Sequence, residues 1–310
     1  MSNTAFLFPG QASQKVGMGR DLYENSSQAR EMFAEADETL GYPISRLCFE
    51  GPEDELKLTR NTQPALLLVS SVAFSLLGRD PLLAAGHSLG EYSALVAAGT
   101  LTFAEALRLV HNRGRYMQEA VPVGEGAMAA VLGAEYEDVS AALSEVTSGV
   151  VAVANRNSRE QIVIAGHKPA VEDALERIDA PRAVMLPVSA PFHCELMREA
   201  EERLSRDLDE VEFRDPRVSV VANSTARPLT TADDVRDELL RQLCNCVLWQ
   251  PSVEYMVECG VTTFIEVGPG IVLTKLIKRI DRGARAFGMS DSESIREAGE
   301  KLLQGPLLLE

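Results

Sequence analysis

The sequence is short of positive charge. Its 310 residues carry 30 Lys and Arg against 46 Asp and Glu, a formal balance of −16. Phosphate backbones need a basic field, so nucleic acid is excluded as the general partner, while a local basic patch is not. Long hydrophobic runs are also missing. Ala65-Leu66-Leu67-Leu68-Val69 is among the longest, far below the length that spans a bilayer. The first residues, Met-Ser-Asn-Thr-Ala-Phe, hold neither a basic stretch nor the apolar core of a signal peptide. No membrane association and a cytoplasmic location are therefore expected. Cysteine is scarce and odd in number: Cys48, Cys194, Cys244, Cys246 and Cys259. A disulfide framework is not expected in a chain of this length. Cys244 and Cys246 form a C-x-C without a second pair or a nearby His, so free thiols are expected there instead of a zinc site.

What is present is ordinary globular material. The chain is 45% hydrophobic and 25% charged, enough to bury a substantial core in two domains, or in one with an insertion. No internal repeat is evident, which removes solenoids. Short apolar runs alternate with helical patterns. Thr4 to Phe8 ends at Pro9-Gly10, and Leu82 to His87 ends at Ser88-Leu89-Gly90. Val218 to Ala222 and Thr262 to Val267 end at Asn223-Ser224 and Gly268-Pro269-Gly270. Continuous apolar strands separated by helices predict an α/β fold with a parallel sheet covered on both faces. Pro64 fits the first position of a buried helix that runs to Leu77 and closes at Gly78. Thr102 and Glu105 form a capping box. The helix it opens puts Phe103, Leu107, Val110, Gly114 and Met117 on one stripe, with Arg113 at its border. A charge there either snorkels to solvent or points into a polar site.

Residues from about Gly126 to Val188 read differently. Strands at Ala127–Leu132, Val150–Ala154, Gln161–Ala165 and Ala183–Val188 interleave with helices at Glu135–Val146 and Lys168–Ile178. Asn155 to Glu160 reads as a polar loop between the two middle strands. The order β-α-β-β-α-β is the split βαβ, ferredoxin-like unit. It reads as a small domain of residues 125–189 inserted into a large one of 1–124 and 190–310, with a small-molecule cleft between them.

Gly86-His87-Ser88-Leu89-Gly90 is a G-x-S-x-G placed between a strand and a helix-forming stretch, Glu91 to Ala98. That is the setting of a nucleophile elbow, with Ser88 presented at a helix N-terminus whose free N–H groups can hold an oxyanion. A serine nucleophile needs a base, and the chain has four histidines. His87 adjoins the serine and would point away from it. His111 sits inside the helix opened by Thr102, and His167 follows a strand of the small domain. His193 comes where the chain re-enters the large domain and is the candidate base.

The chain closely resembles the malonyl-CoA:acyl carrier protein transacylase family. The resemblance is carried by Phe8-Pro9-Gly10-Gln11-Ala12-Ser13-Gln14, Thr62-Gln63-Pro64-Ala65, Gly86 to Tyr92 and Arg113-Gly114. It continues through Gln161 to Gly166, Pro191-Phe192-His193 and Glu266-Val267-Gly268-Pro269-Gly270. It implies an α/β-hydrolase-like large domain with an inserted ferredoxin-like one. It further implies malonyl transfer from malonyl-CoA to the thiol of acyl carrier protein through a malonyl-serine, in fatty acid biosynthesis. Ser88 would be the nucleophile, His193 the base, and the N–H groups of Gln11 and Leu89 the oxyanion hole. Arg113 would bind the malonyl carboxylate, with Gln63 beside the active site and Asn157 near the substrate channel. Gln242 matches the glutamine whose backbone carbonyl orients the histidine, although Leu243-Cys244-Asn245-Cys246 departs from the usual pattern after it. No metal or redox cofactor is required, and a monomer is expected. Polyketide-type or malonate-decarboxylase malonyltransferases share this pattern. A serine thioesterase would share the elbow, and a non-catalytic carrier-binding module would keep only the fold.

Overall fold

The computed structural model describes residues 3–188 and 190–303. The ends of the expected domain spans at 1–2, 189 and 304–310 lie outside those residues. Among the described residues the chain forms ten strands. They are β1 (Thr4–Phe8), β2 (Leu83–Gly86), β3 (Gly126–Leu132), β4 (Val151–Ser158), β5 (Gln161–His167), β6 (Arg182–Met185), β7 (Val220–Val221), β8 (Pro228–Leu229), β9 (Thr263–Val267) and β10 (Arg285–Met289). Six build one sheet in the order β10-β9-β1-β2-β7-β8, and four build a second in the order β4-β5-β3-β6.

The first sheet is parallel from β10 to β7; only β7 and β8 run antiparallel. Its four central strands are the four apolar runs of the sequence. β1, β2 and β7 are buried at every position, as strands covered by helices on both faces must be. The register sets Phe8 beside Gly86. The turn after β1, which carries Gln11, thus leaves the sheet next to the turn after β2, which carries Ser88. Ligands gather at such carboxyl ends of parallel strands. The second sheet is antiparallel throughout.

Two local expectations are corrected. Pro64 does not open its helix, which spans Thr59–Leu77 with Pro64 inside. A proline there leaves the carbonyl four residues back without its helical donor. That carbonyl belongs to Arg60. Asn155 to Ser158 is not loop: β4 runs through it, with bulges, to a turn at Arg159-Glu160. The polar residues are tolerated in a strand because a second partner takes their backbone. Val247 donates to the Ala154 carbonyl at 2.9 Å, and the Arg156 N–H donates to the Val247 carbonyl at 2.9 Å. This pairing joins the second sheet to the segment that follows Gln242.

The five cysteines are free thiols. No helix among the described residues is long and apolar enough to cross a membrane. Among the same residues no cluster of three or more His, Cys, Asp or Glu could hold a metal.

Candidate active site

The turn after β2 is tighter than any residue but glycine allows on its flanks. A Cβ on Gly86 would lie 1.9 Å from the Gly90 carbonyl carbon, and one on Gly90 would lie 2.0 Å from the Phe8 carbonyl oxygen. Between them Ser88 adopts a φ of 52°, a left-handed conformation that costs a non-glycine residue energy and persists only where its surroundings enforce it. Asn223, just past β7, supplies the enforcement. Its side-chain oxygen accepts the Ser88 N–H at 2.6 Å, and its amide donates to the Gly86 carbonyl at 2.7 Å. The Gly90–Ala97 helix starts immediately after the turn.

His193 lies 105 positions further along the chain, and the fold brings its Nε2 to 2.8 Å from the Ser88 Oγ. Its Nδ1 is 3.0 Å from the backbone carbonyl of Gln242. A carbonyl only accepts, so Nδ1 carries the proton and Nε2 offers its lone pair to the serine hydroxyl. Gln242 caps the C-terminus of the Ala232–Arg241 helix, where carbonyls concentrate partial negative charge. The departure at Leu243 to Cys246 has not displaced it. His193 is 4% exposed. Burial, and then the guanidinium of Arg113, push its pKa down to about 3, so the imidazole is neutral at ordinary pH.

Arg113 does not snorkel; its side chain is wholly buried. One terminal nitrogen donates to Gln63 Oε1 at 2.8 Å. The other donates to Gln242 Oε1 at 2.9 Å and to Ser88 Oγ at 3.1 Å. Gln63, also buried, donates at 3.4 Å to the Gln11 side chain. The backbone N–H groups of Gln11 and Leu89 donate to no protein acceptor among the described residues. Asn157 sits outside this circle of contacts. Its Oδ1 is 2.8 Å from the Nε2 of His87, a ring that stacks at a tilt on Trp249. His87 therefore braces the turn from behind, as its place next to the serine implied.

Three residues escaped the reading of the sequence as site residues: Asn223, Glu91 and Glu238. Glu91 is wholly buried and accepts the Asn223 N–H at 2.9 Å and the side-chain amide of Gln242. Glu238 accepts the Ser224 N–H at 2.8 Å. The two carboxylates hold successive N–H groups of the Asn223-Ser224 turn. An acid in the first turn after the G-x-S-x-G, and another in mid-helix, are the only traces they leave in sequence.

A hydroxyl on a strained strand-to-helix turn, a neutral imidazole in contact with it, and free N–H groups nearby can carry out acyl transfer through a serine ester. The comparisons with known proteins define the same class. The acyl transferase domain family matches residues 5–296. The malonyl CoA-acyl carrier protein transacylase of Bacillus subtilis (strain 168) is 47% identical over 97% of this chain and 98% of its own length. Its namesake from Escherichia coli (strain K12) is also 47% identical, over 97% of this chain and all of its own. The solved acyl carrier protein S-malonyltransferase of Vibrio cholerae superposes with a TM-score of 0.94 at 43% identity, over 96% of this chain and 100% of that one. A solved malonyl-transacylase in complex with its type II PKS acyl-carrier protein does so with a TM-score of 0.94 at 44% identity, covering 97% and 100%. The chain belongs to the malonyl-CoA:acyl carrier protein transacylase family.

The depressed histidine pKa has a signed consequence. A general base at His193 would work when deprotonated, so a folded value near 3 would keep the rate of serine acylation (kcat/KM) flat from about pH 8 to about pH 4.5. A fall with its midpoint at about pH 6.5, the value of a solvated histidine, would contradict the geometry. Stability moves differently. The unfolded chain takes up this proton at about pH 6.5 and the folded one does not, so the Tm falls as pH drops below that value.

Proposed function

We propose that the chain transfers a malonyl group from malonyl-CoA to the pantetheine thiol of acyl carrier protein, as an enzyme of fatty acid biosynthesis. One observation carries this reading. A wholly buried guanidinium donates to the same serine oxygen that contacts the base, and it forms no ion pair with a carboxylate among the described residues. An acid-tailed acyl group supplies the missing partner with two charge-assisted hydrogen bonds.

The mechanism follows from the contacts. Ser88 Oγ attacks the thioester carbonyl as its proton passes to Nε2 of His193. The Nδ1–H stays on the Gln242 carbonyl and fixes the ring. The N–H groups of Gln11 and Leu89 hold the oxyanion, each such donor being worth about 3 kcal/mol. His193 then protonates the thiolate of coenzyme A as the carbon–sulfur bond breaks. The carrier's thiol repeats the attack on the malonyl-serine, giving its proton to His193, and the steps run in reverse. A thioester is an activated donor, so a carbonyl suffices where serine hydrolases use a carboxylate as the third member of the triad.

The parallel sheet with its helices reads as an α/β-hydrolase-like domain of residues 1–124 and 190–310. The antiparallel sheet of residues 125–189 reads as its ferredoxin-like insert, since the order β4-β5-β3-β6 is that unit's strand order. Asn157, on β4, keeps the place near the substrate channel that the family resemblance implies, with its side chain held by His87. The protein acts as a monomer in the cytoplasm, without metal or redox cofactor and without nucleic acid. A second reading, a polyketide-type carrier as acceptor, is favoured by the relative solved with a type II PKS carrier.

Arg113 is tested by donor choice. Arg113→Ala or Arg113→Lys lowers kcat/KM for malonyl-CoA by about two orders of magnitude more than for acetyl-CoA. Equal losses for both donors would show that the arginine does not read the carboxylate.

Acyl carrier proteins are acidic, and so is this chain, so a local patch must steer them together. Lys275, Lys278, Arg279, Arg282 and Arg285 are exposed on and after the Val272–Ile280 helix. None is ion-paired among the described residues. Ile271, 49% exposed, adds apolar surface beside them. Reversing Lys278 and Arg279 to Glu raises the KM for carrier protein about tenfold; an unchanged KM removes this patch.

A further inference from the structure

Arg113 poses an electrostatic problem. A guanidinium out of contact with solvent needs a counter-charge, yet its three acceptors, Gln63, Gln242 and Ser88, are all neutral. Glu91 poses the converse problem. It is buried, and among the described residues no cation pairs with it; its partners are the Asn223 N–H and the Gln242 amide. Burial, and then the neighbouring carboxylate of Glu238, raise its pKa well above the ordinary value, yet both oxygens accept from N–H donors, the bonding pattern of the ionised form.

The two problems have one solution. The side-chain amide of Gln242 lies between them, its oxygen accepting from Arg113 and its nitrogen donating to Glu91. The amide dipole points its negative end at the cation and its positive end at the anion. We propose that Glu91 is a positioning residue, the counter-charge of Arg113 acting through the Gln242 amide. The inference rests on the reading of Arg113 as the malonyl-carboxylate site.

The arrangement explains how the arginine stays both buried and available. A directly paired Glu would occupy the guanidinium fork, and an incoming carboxylate would have to expel a charged rival. Neutral amide and hydroxyl acceptors yield to a carboxylate easily. The remote charge makes the cation tolerable in the free protein while also moderating its pull on anions. The same glutamine donates to the Ser88 carbonyl at 3.0 Å and offers its backbone carbonyl to His193. Glu91 therefore fixes the amide that connects specificity arginine, nucleophile turn and base.

The test uses malonate itself as the probe, with the full chain as wild type, Glu91→Gln, Arg113→Met and the double variant. Calorimetry is expected to show Glu91→Gln binding malonate about fivefold more tightly than wild type, because Arg113 has lost its counter-charge. Neither chain carrying Arg113→Met binds it. Thermal unfolding supplies the second readout. Glu91→Gln lowers the Tm, but in the Arg113→Met background the same substitution lowers it far less. The double variant folds even if Glu91→Gln alone does not. A residue that only braced Asn223 would lower the Tm equally in both backgrounds and leave malonate affinity unchanged. Either result overturns the relay, as does a double variant that fails to fold. Malonate binding that survives Arg113→Met is a separate outcome: it overturns the carboxylate-site reading, and the relay falls with it.

Discussion

A single contact organises this molecule: the Oγ of Ser88 against the Nε2 of His193, at 2.8 Å. Neither residue is reactive alone, because a serine hydroxyl needs a base and a base needs a fixed ring. The Phe8–Gly86 register and the glycines at 86 and 90 force the turn that exposes the hydroxyl. The helix ending at Arg241 delivers the carbonyl that fixes the imidazole. The second sheet is part of the same device. Its pairing with Val247 anchors β4 against the segment that follows Gln242.

Around this contact the interior is unusually charged. One cation and two carboxylates, Arg113, Glu91 and Glu238, are buried without a direct ion pair among them; neutral groups meet both carboxylates and the two terminal nitrogens of Arg113, while its Nε has no partner among the described residues. Uncompensated charges of this kind destabilise a fold unless their fields offset one another. Here the Gln242 amide stands between Arg113 and Glu91, and backbone N–H groups meet both carboxylates. The consequence for His193 follows directly. Desolvation and the nearby guanidinium keep it neutral in the free protein, ready to take a proton. A substrate carboxylate on Arg113 would relieve part of that field and strengthen the base when an acid-tailed acyl group is in place.

The apolar runs starting at Thr4 and Leu82 became central strands because continuous apolar runs are suited to a parallel sheet covered on both faces. The capping box at Thr102 and Glu105 is present as a reciprocal pair, since both partners are three residues apart and need nothing from the rest of the fold. What failed to show in sequence depends on distant chain. Asn155 to Ser158 is strand because β5 and Val247 pair with it. Asn223 and Glu91 looked like a strand terminator and a helix-start acid; only the fold makes them supports of the elbow. Arg113 lay on the border between surface and core by periodicity, and its burial is decided by Gln63 and Gln242, 50 and 129 positions away.

The central claim is that Ser88 becomes covalently acylated with His193 as its base. It is tested most directly by incubating the protein with radiolabelled malonyl-CoA without carrier, quenching in acid, and mapping the labelled peptide. The account predicts one malonyl ester, on Ser88, lost with Ser88→Ala and formed far more slowly with His193→Ala. Label on any other residue, or normal turnover by Ser88→Ala, would contradict it.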